Sequence, residues 1–249
     1  MLAITRHEKI IEWLQKQRTV KVAELSERLN VTEKTIREDL EKLERRGLLK
    51  RIHGGAILAA DAGALLPMAE NYTRRYEEKK EIAAKALKLI EEGDVIALDA
   101  GSTTLEIAKA LDNLPITVIT NDLYIISELT KKEQIRLVVP GGQRQRNLLV
   151  GPEPLEYLKK LNIRKSFVSA AGVDLVHGLS VFTSAHAELK RAMIRNAGTA
   201  YAVADHSKFG KCALLTFASL EELEAIVTDG GISPATVREY EMKGVKIIA

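Results

Sequence analysis

Cysteine, aromatic residues and long apolar runs are all scarce in this chain. The single cysteine, Cys212, allows no internal disulfide and no thiolate metal site, and we interpret it as a buried structural thiol. Aromatic residues make up only 4% of the sequence, which argues against a protein that stacks single-stranded bases. No stretch approaches the about 18 apolar residues of a membrane span, and no signal peptide is recognisable. The sequence therefore predicts a cytoplasmic protein without membrane association, metal or cofactor.

The chain has 249 residues, which predicts about two domains. Its apolar content of 46% and charged content of 29% are typical of a soluble globular protein. The net charge of +3 is unevenly spread, because residues 1–56 hold 13 Lys and Arg but only 9 Asp and Glu. The basic excess therefore lies in the amino-terminal part, where it favours a polyanionic partner.

Three amphipathic helices are predicted in that part. Apolar residues recur at helical spacing over residues 5–17, with Thr5 as the cap. A second, shorter helix runs from Val22 and is ended by Asn30, and a third begins at Thr32. The apolar side of the third helix consists of Ile36, Leu40 and Leu43.

The opposite side of the third helix is predicted to enter the major groove of DNA. Bases are read by side chains in the first turns of such a helix, which here are Lys34, Thr35 and Arg37. A hairpin follows, in which Gly54 and Gly55 allow a turn with positive φ. Its predicted phosphate contacts are Lys50, Arg51 and His53. The alternative is an adaptor or dimerisation module whose charges are only solvated.

This segment resembles the signature of the DeoR family of bacterial transcriptional regulators. The matching residues are Arg6, Ile10, Leu14, then Thr32 after a gap of seventeen residues, Thr35 to Leu40, and Gly47 to Ala56. The resemblance implies a winged helix-turn-helix in which Thr32, Thr35, Arg37 and Asp39 occupy signature positions. We expect Asp39 to be structural, bonded to the backbone or to Arg37, or else to contact DNA.

Beyond residue 57 the sequence consists mostly of small residues and predicts a flexible segment. After this segment, predicted strands and helices alternate. A helix is predicted over residues 77–90, ended by Gly93. Arg74 and Arg75 are expected either in ion pairs with the second domain or on DNA phosphates. Seven apolar runs separated by helical stretches predict an α/β domain with a mainly parallel sheet. The runs are residues 95–98, 116–119, 135–139, 166–169, 200–203, 225–227 and 245–248.

Polar loops follow five of these runs and predict a binding crevice, since ligands of parallel sheets bind beyond the carboxyl ends of the strands. In the first loop, Gly101 permits a tight turn. Ser102, Thr103 and Thr104 then open a helix whose free backbone N–H groups favour an anion. The alternative is that Ser102 or Thr103 only caps this helix.

The second part of the chain resembles the DeoR-family effector domain, which is similar to ribose-5-phosphate isomerases and senses phosphorylated sugars or related metabolites. The matching segments are residues 78–79, 98–104, 120–121, 141–142, 151, 204–210 and 227–229. The resemblance implies an effector site formed by Asp99, Gly101, Ser102, Thr103, Thr104, Asn121, Gly141, Gly142 and Lys208. Asp99 and Asp205 either bind sugar hydroxyls or cap the turns that follow them.

Two segments depart from the family pattern. Val181 and Phe182 replace small polar residues, which predicts a more apolar wall for the crevice. Residues 143–146 form a basic insertion, whose Arg144 or Arg146 either contacts a second anionic group or is only solvated.

Two other functions compete with a sensor. An isomerase needs a carboxylate base beside the sugar carbons, but residues 170–173 replace most candidate carboxylates, and Glu188 and Lys190 are expected on a solvated helix face. An architectural DNA-binding factor without an effector would not need five polar loops in one crevice.

We therefore predict a transcriptional regulator that is not an enzyme. A winged helix-turn-helix domain (residues 1–57) binds double-stranded operator DNA, and a linker (58–76) joins it to a ribose-5-phosphate-isomerase-like α/β domain (77–249). That domain binds a phosphorylated sugar, which relieves repression of a carbohydrate operon. A homo-oligomer, dimer or tetramer, is expected.

Overall fold

The computed structural model of the protein describes residues 2–58 and 73–249. The chain divides into two compact units, Met1–Arg74 and Arg75–Ala249. Most of the predicted linker, residues 58–76, lies outside the described residues, and its boundaries stay a prediction. Within the described ranges, no helix has both the length and the apolar character needed to cross a membrane.

The first unit packs three helices against a small antiparallel sheet. The helices are α1 (Ala3–Gln17), α2 (Val22–Leu29) and α3 (Glu33–Arg45). The strands are β1 (Thr19–Lys21), β2 (Leu49–Ile52) and β3 (Gly55–Leu58), in the order β1-β3-β2. Each helix buries one apolar side, and Ile10, Leu25 and Leu40 are at most 2% exposed.

The ends of these helices test the predicted caps. Thr32 caps α3 as predicted, because its Oγ1 accepts the backbone N–H of Thr35 at 3.2 Å. Asn30 ends α2 with a left-handed φ of 51°. The predicted cap at Thr5 is wrong, since α1 begins at Ala3 with Leu2 in the cap position, and Thr5 lies inside the helix. Strand β1 was not predicted from the sequence.

Seven strands of the described chain form the parallel sheet of the second unit. They are β4 (Val95–Leu98), β5 (Thr117–Ile119), β6 (Arg136–Val138), β9 (Ile163–Ser169), β12 (Ala197–Val203), β14 (Ala225–Val227) and β15 (Ile247–Ile248). Each contains or lies within one predicted run, and every neighbouring pair is parallel. The mainly parallel α/β fold is therefore confirmed.

The order of these strands, β15-β14-β12-β9-β4-β5-β6, reverses at β4. The chain runs outward from β4 through β5 to β6, then returns to β9 on the other side of β4 and runs outward again. The point between β4 and β9 is therefore a topological switch point, where loops diverge and leave a crevice beyond the carboxyl ends of the strands.

The helices of the second unit alternate with these strands. They are α4 (Tyr76–Leu87), α5 (Ser102–Ala110), α6 (Leu123–Leu129), α7 (Pro152–Leu158), α8 (Ser184–Arg195) and α9 (Pro234–Glu241). Helix α4 packs against α5, and α8 packs against β9 and β12. The predicted extension of α4 to Ile90 is wrong, because the helix ends at Leu87 and Gly93, with φ of 79°, lies in the turn before β4.

Two further β structures were not predicted. The hairpin β7 (Gln143–Gln145) and β8 (Leu148–Val150) contains the basic insertion, and β10 (Gly172–Asp174), β11 (Gly178–Val181) and β13 (Leu215–Ala218) form an antiparallel sheet. Val181 is 5% exposed and belongs to the core, whereas Phe182 is half-buried. Cys212 is half-buried as well, and its Sγ–H donates to the carbonyl of Ala213 at 3.3 Å.

Candidate functional sites

The exposed side of α3 presents the predicted base-reading residues together. Lys34 and Arg37 are exposed and Thr35 is half-buried in the first turns of the helix. The Thr32 and Thr35 hydroxyls are 3.0 Å apart, and Nη2 of Arg37 donates to Oε2 of Glu33 at 2.6 Å. Such an exposed ion pair one turn apart stabilises the helix only slightly, so it leaves Arg37 able to form other contacts.

The wing is the hairpin of β2 and β3. The predicted phosphate contacts Lys50, Arg51 and His53 are all exposed on it. The wing is tied to the end of α3, since Arg51 N–H donates to Oε1 of Glu44 at 2.7 Å. Gly54 has the predicted positive φ, 75°.

Gly55 does not have the positive φ that the sequence suggested. It is needed for space instead, because a Cβ at this position would lie 2.1 Å from the carbonyl oxygen of Val20. Glycine therefore allows β3 to pass close to β1.

Asp39 is structural, but its partners are not the backbone or Arg37. Its carboxylate, 1% exposed, accepts Nε and Nη2 of Arg6 at 2.7 and 3.0 Å and Nε2 of His7 at 2.9 Å. Burial raises the pKa of Asp39, but the hydrogen bonds from Arg6 and His7 outweigh it and hold the pKa below its usual range. The Arg6–Asp39 ion pair thus fixes α3 against α1.

The loop after β4 lies at the switch point of the large sheet. Gly101 is the N-cap of α5, and no described side chain caps that helix there. The predicted alternative, a cap by Ser102 or Thr103, is therefore wrong. Ser102 is half-buried and Thr103 is 6% exposed. The first backbone N–H groups of α5 are thus left to an anion or to water.

Gly101 and Thr104 shape this loop differently from what the sequence suggested. Gly101 has an extended φ of −171°, and glycine is required because a Cβ would lie 2.2 Å from Oγ of Ser169. Thr104 is fully buried, and its hydroxyl donates to the carbonyl oxygens of Asp99 at 2.8 Å and Gly101 at 3.0 Å. Thr104 therefore holds the loop in place.

Asp99 forms a buried ion pair with Lys190, and these side chains are 1% and 3% exposed. Oδ2 of Asp99 accepts Nζ of Lys190 and also the backbone N–H of Ser169 at 2.9 Å. Nζ of Lys190 donates further to the carbonyl and hydroxyl oxygens of Ser169 at 3.0 and 3.1 Å. Burial lowers the pKa of Lys190 to about 7, an effect that the carboxylate opposes by favouring the charged amine.

Lys190 was expected on a solvated helix face, and that expectation is wrong. Only Glu188, two residues earlier on α8, is exposed as expected. The other oxygen of Asp99, Oδ1, is buried and accepts no hydrogen bond from the described residues. A buried carboxylate oxygen without a donor is costly in a folded protein, and a ligand hydroxyl would satisfy it.

A second cluster of charges lies around the turn after β12. Asp205 caps this turn by accepting the backbone N–H of Ser207 at 3.0 Å, and Lys208 follows half-buried. Lys79 of α4 is 5% exposed and was not predicted as a site residue. Burial lowers the pKa of Lys79 to about 8, Asp205 raises it and the positive charge of Lys208 lowers it further. The buried amine of Lys79 is therefore influenced by charges of both signs, chiefly Asp205 and then Lys208.

Asn121, Gly141 and Gly142 surround the basic hairpin. The Asn121 side-chain amide is 1% exposed and donates to the carbonyl of Leu149 at 3.3 Å, so it holds the hairpin. Gly141 and Gly142 have φ of 86° and 110°, which favours glycine at both positions. Their role in the structure is to direct the chain into β7.

The two arginines of the basic hairpin differ in their surroundings. Arg144 and Arg146 are both exposed, which fits either of the predicted roles. Arg146 also affects His186 of α8. Burial, and after it the positive charge of Arg146, lower the pKa of His186 to about 4. The imidazole of His186 shares a hydrogen bond of 2.6 Å with the Thr183 hydroxyl. His186 is thus a neutral polar group one turn before Lys190.

His206 and Asp229, which follow β12 and β14, also form a hydrogen bond, and the sequence did not predict this contact. Nδ1 of His206 lies 2.6 Å from Oδ2 of Asp229. In an enzyme such a pair could act as a general base through Nε2, but here Nε2 lies 3.1 Å from Nη1 of Arg75. Arg75 also pairs with Glu78 at 3.2 Å, which confirms its expected ion pair within the second unit.

Comparison with known proteins identifies both parts of the chain. Residues 6–61 match the model of the DeoR-like helix-turn-helix domain, and residues 74–230 match that of the DeoR C-terminal sensor domain. The chain is 37% identical to the uncharacterized HTH-type transcriptional regulator YulB of Bacillus subtilis, over 100% of this chain and 97% of YulB. It is 33% identical to the glycerol-3-phosphate regulon repressor of Escherichia coli, over 90% of each chain.

Its fold is also similar to a solved structure, ribose-5-phosphate isomerase A from Methanocaldococcus jannaschii. The TM-score is 0.41 with 22% identity over 54% of each chain, a likeness of fold that carries no functional argument. The relatives named above are regulators of transcription, and they match almost the whole of both units. The chain belongs to the DeoR family of transcriptional regulators.

Proposed function

We propose that this regulator binds operator DNA through α3 and the wing, and that a phosphorylated sugar bound at the switch point of the large sheet weakens this binding. The observation that carries the proposal is the reversal of strand order at β4. Sheets of this kind bind ligands at such a point, and the uncapped start of α5 and the unsatisfied Oδ1 of Asp99 follow directly after β4, which supports the proposal.

The charges at this edge support a phosphorylated ligand. The phosphate would bind the free N–H groups of α5 and the lysine pair Lys79 and Lys208, while Asp99 and Asp205 would accept bonds from sugar hydroxyls. The name of one relative, a repressor of a glycerol-3-phosphate regulon, supports both repression and a small phosphorylated signal. We further propose that the protein acts in the cytoplasm as a homo-oligomer, a dimer or tetramer that matches paired operator half-sites.

Thermal unfolding in the presence of candidate ligands tests this proposal. A suitable panel contains glucose 6-phosphate, fructose 6-phosphate, fructose 1-phosphate, ribose 5-phosphate and glycerol 3-phosphate, with inorganic phosphate as the control. A ligand that binds only the folded state raises the midpoint by mass action. At least one sugar phosphate should raise it more than inorganic phosphate does. No rise with any member would reject a sugar-phosphate sensor, and turnover of a member would indicate an isomerase instead.

Replacing Lys208 by alanine should blunt the response to that sugar phosphate without changing operator affinity. A hydrogen bond to a charged group contributes about 1.5–3 kcal/mol, so the ligand should bind roughly 10-fold to 100-fold more weakly. Calorimetric titration measures this loss. The matched control is Lys211→Ala, because Lys211 is a nearby exposed lysine outside the proposed site. An unchanged ligand affinity in Lys208→Ala would remove Lys208 from the site.

Replacing Arg37 by alanine should abolish sequence-specific binding to the operator while ligand binding persists. A side chain that reads a base contributes about 1–3 kcal/mol of discrimination, which corresponds to roughly 10-fold to 100-fold in affinity. The control is Arg45→Ala, since Arg45 also pairs with a glutamate one turn away, Glu41, but at the other end of α3. Footprinting should show a loss only for Arg37→Ala. Equal losses on specific and random DNA would assign Arg37 to phosphate contacts.

A further inference from the structure

Arg75 connects the start of α4 to the turn that carries Lys208. It is the N-cap residue of α4 and has a left-handed backbone, with φ of 52° and ψ of 46°. Its guanidinium reaches across to the turn after β12, where Nη1 lies 3.1 Å from Nε2 of His206 and Nε lies 3.6 Å from Oδ1 of Asp205. A left-handed backbone is unfavourable for arginine, so these side-chain contacts help to hold it.

The direction of each hydrogen bond in this link follows from Asp229. Oδ1 of Asp229 accepts the backbone N–H of His206 at 2.8 Å, and Oδ2 lies 2.6 Å from Nδ1 of the same residue. An ionised carboxylate only accepts hydrogen bonds, so Nδ1 carries the proton and donates. In the neutral imidazole, Nε2 is therefore the acceptor for Arg75. Arg75 donates to His206, and His206 donates to Asp229.

The guanidinium of Arg75 is not fully satisfied by these partners. Its Nε is buried and makes no hydrogen bond to the described part of the chain, although Asp205 lies at ion-pair distance. An anion bound beside Lys208 would reach the same turn, since residues 206–208 form one short helical turn. An anionic oxygen is a stronger acceptor for a guanidinium than a neutral imidazole is. We infer that an anion bound at the open Nε turns the guanidinium, so that Nη1 leaves His206.

We propose that the Arg75–His206 hydrogen bond couples an anion bound at Lys208 to the first turn of α4, where the sensor unit begins. This inference rests on the proposed function, because it names the regulation of the same site. When Arg75 turns to the anion, one of the contacts that help to hold its left-handed backbone, the bond to His206, is lost. The N-cap then relaxes, and the chain that precedes Tyr76 enters α4 in a different direction. Arg75 is in this respect a positioning residue, whose effect on DNA binding passes through the helix start.

Two substitutions of His206 separate its hydrogen bond with Asp229 from its hydrogen bond with Arg75. In His206→Asn the side-chain amide can donate to Asp229 in place of Nδ1, but it is too short to replace Nε2. In His206→Gln the amide oxygen can take the place of Nε2 and accept from Arg75. Arg75→Met gives a third variant, which keeps most of the side-chain length and loses every donor. Only the first and third variants break the bond between Arg75 and His206.

The experiment uses the intact protein, the sugar phosphate of the panel above with the largest rise in unfolding midpoint, and inorganic phosphate as a second probe. Hydrogen exchange of backbone amides 76–79 and operator release are measured with and without each probe. In wild type and His206→Gln, the sugar phosphate should speed exchange in this turn and release the operator. In His206→Asn and Arg75→Met the first turn of α4 is already relaxed without ligand, so saturating sugar phosphate should change operator affinity about tenfold less than in wild type. Arg75→Met also removes a contact to the anion and should bind the sugar phosphate more weakly.

The outcomes separate this inference from the proposed function. Normal operator release in His206→Asn and Arg75→Met, with ligand binding intact, would overturn the coupling role and leave the sensor proposal standing. Loss of ligand binding in His206→Asn would also overturn it, because His206 would then be a ligand contact. If neither probe binds wild type, both proposals fail together.

Discussion

Replacing Asp39 by alanine should destabilise the first unit by about 3–5 kcal/mol, because it leaves two buried basic side chains without their acceptor. Arg6 and His7 are 9% and 7% exposed, and both donate to this carboxylate from α1. The total stability of a small domain is of the same order, so we expect most of the first unit to be unfolded at 37 °C and operator binding to be lost.

Trp13 makes this measurement specific to the first unit. It is the only tryptophan in the sequence, lies on α1 and has the guanidinium of Arg28 5.3 Å from its ring. Its fluorescence during urea unfolding therefore reports the first unit alone. Glu38→Ala is the matched control, since Glu38 is the exposed neighbouring carboxylate on α3. Equal stability of the two variants would contradict the structural role of Asp39.

The pH dependence of the first unit gives an independent check of Asp39. Its pKa in the folded protein lies below the ordinary value for an aspartate, since the bonds from Arg6 and His7 outweigh burial. A lowered folded pKa means that the unfolded state binds more protons, so this stabilisation is complete above the unfolded pKa and is lost as the pH falls. Wild type should therefore lose stability below about pH 4, and Asp39→Ala should lack that part of the loss.

The Asp39 cluster also shows which contacts spacing predicts and which it does not. Arg37 and Glu33 are one helical turn apart, and their ion pair follows from the period of the helix. Arg6 and Asp39 are 33 residues apart. Their pairing depends on how α1 crosses α3, which no local pattern contains. The sequence predicted that Asp39 is structural but gave it the wrong partners for this reason.

The large sheet was predictable because its strands are short apolar runs separated by helices. The hairpin β7–β8 was not, since residues 143–145 are polar and all exposed and show no alternation. Lys190 was missed because Glu188, Lys190 and Arg191 lie within four residues of α8 and look like a charged, solvated face. A signal was nevertheless present, because Lys190 lies four residues before the buried Ile194 and three before the buried Met193. That spacing places the lysine on the buried side of the helix.

The buried pair of Asp99 and Lys190 should show strong coupling in a double-mutant cycle. Asp99→Asn removes the counter-charge of the buried Lys190 amine, whose pKa burial already lowers to about 7, and Lys190→Met leaves the Asp99 carboxylate buried without its cation. Each single change should cost about 3–5 kcal/mol, while the double variant should regain much of that loss because it leaves no buried charge unpaired. Hydrogen exchange in β4 and β9 measures the stability of the second unit around this pair.

Asp94 supplies the matched control for this cycle, because it precedes β4 and Asp99 follows the same strand. Asp94 is fully buried and pairs with Lys165 at 2.8 Å and Arg164 at 3.1 Å, whose side chains are 13% and 60% exposed. Because these partners reach water, Asp94→Asn should cost less than Asp99→Asn. Additive losses in the Asp99 and Lys190 variants would contradict a coupled ion pair.

The double variant also separates the two roles of Asp99, which are the ion pair with Lys190 and the proposed hydrogen bond to the sugar phosphate. A carboxylate that only holds Lys190 is dispensable once both charges are gone, so the double variant would still respond to the sugar phosphate. We expect the opposite result, a folded second unit whose unfolding midpoint no longer rises with the sugar phosphate. The reason is that Oδ1 of Asp99 is the buried acceptor that the described residues leave open at the switch point. A normal rise would assign Asp99 to the framework of the crevice and leave ligand binding to Lys79, Lys208 and the start of α5.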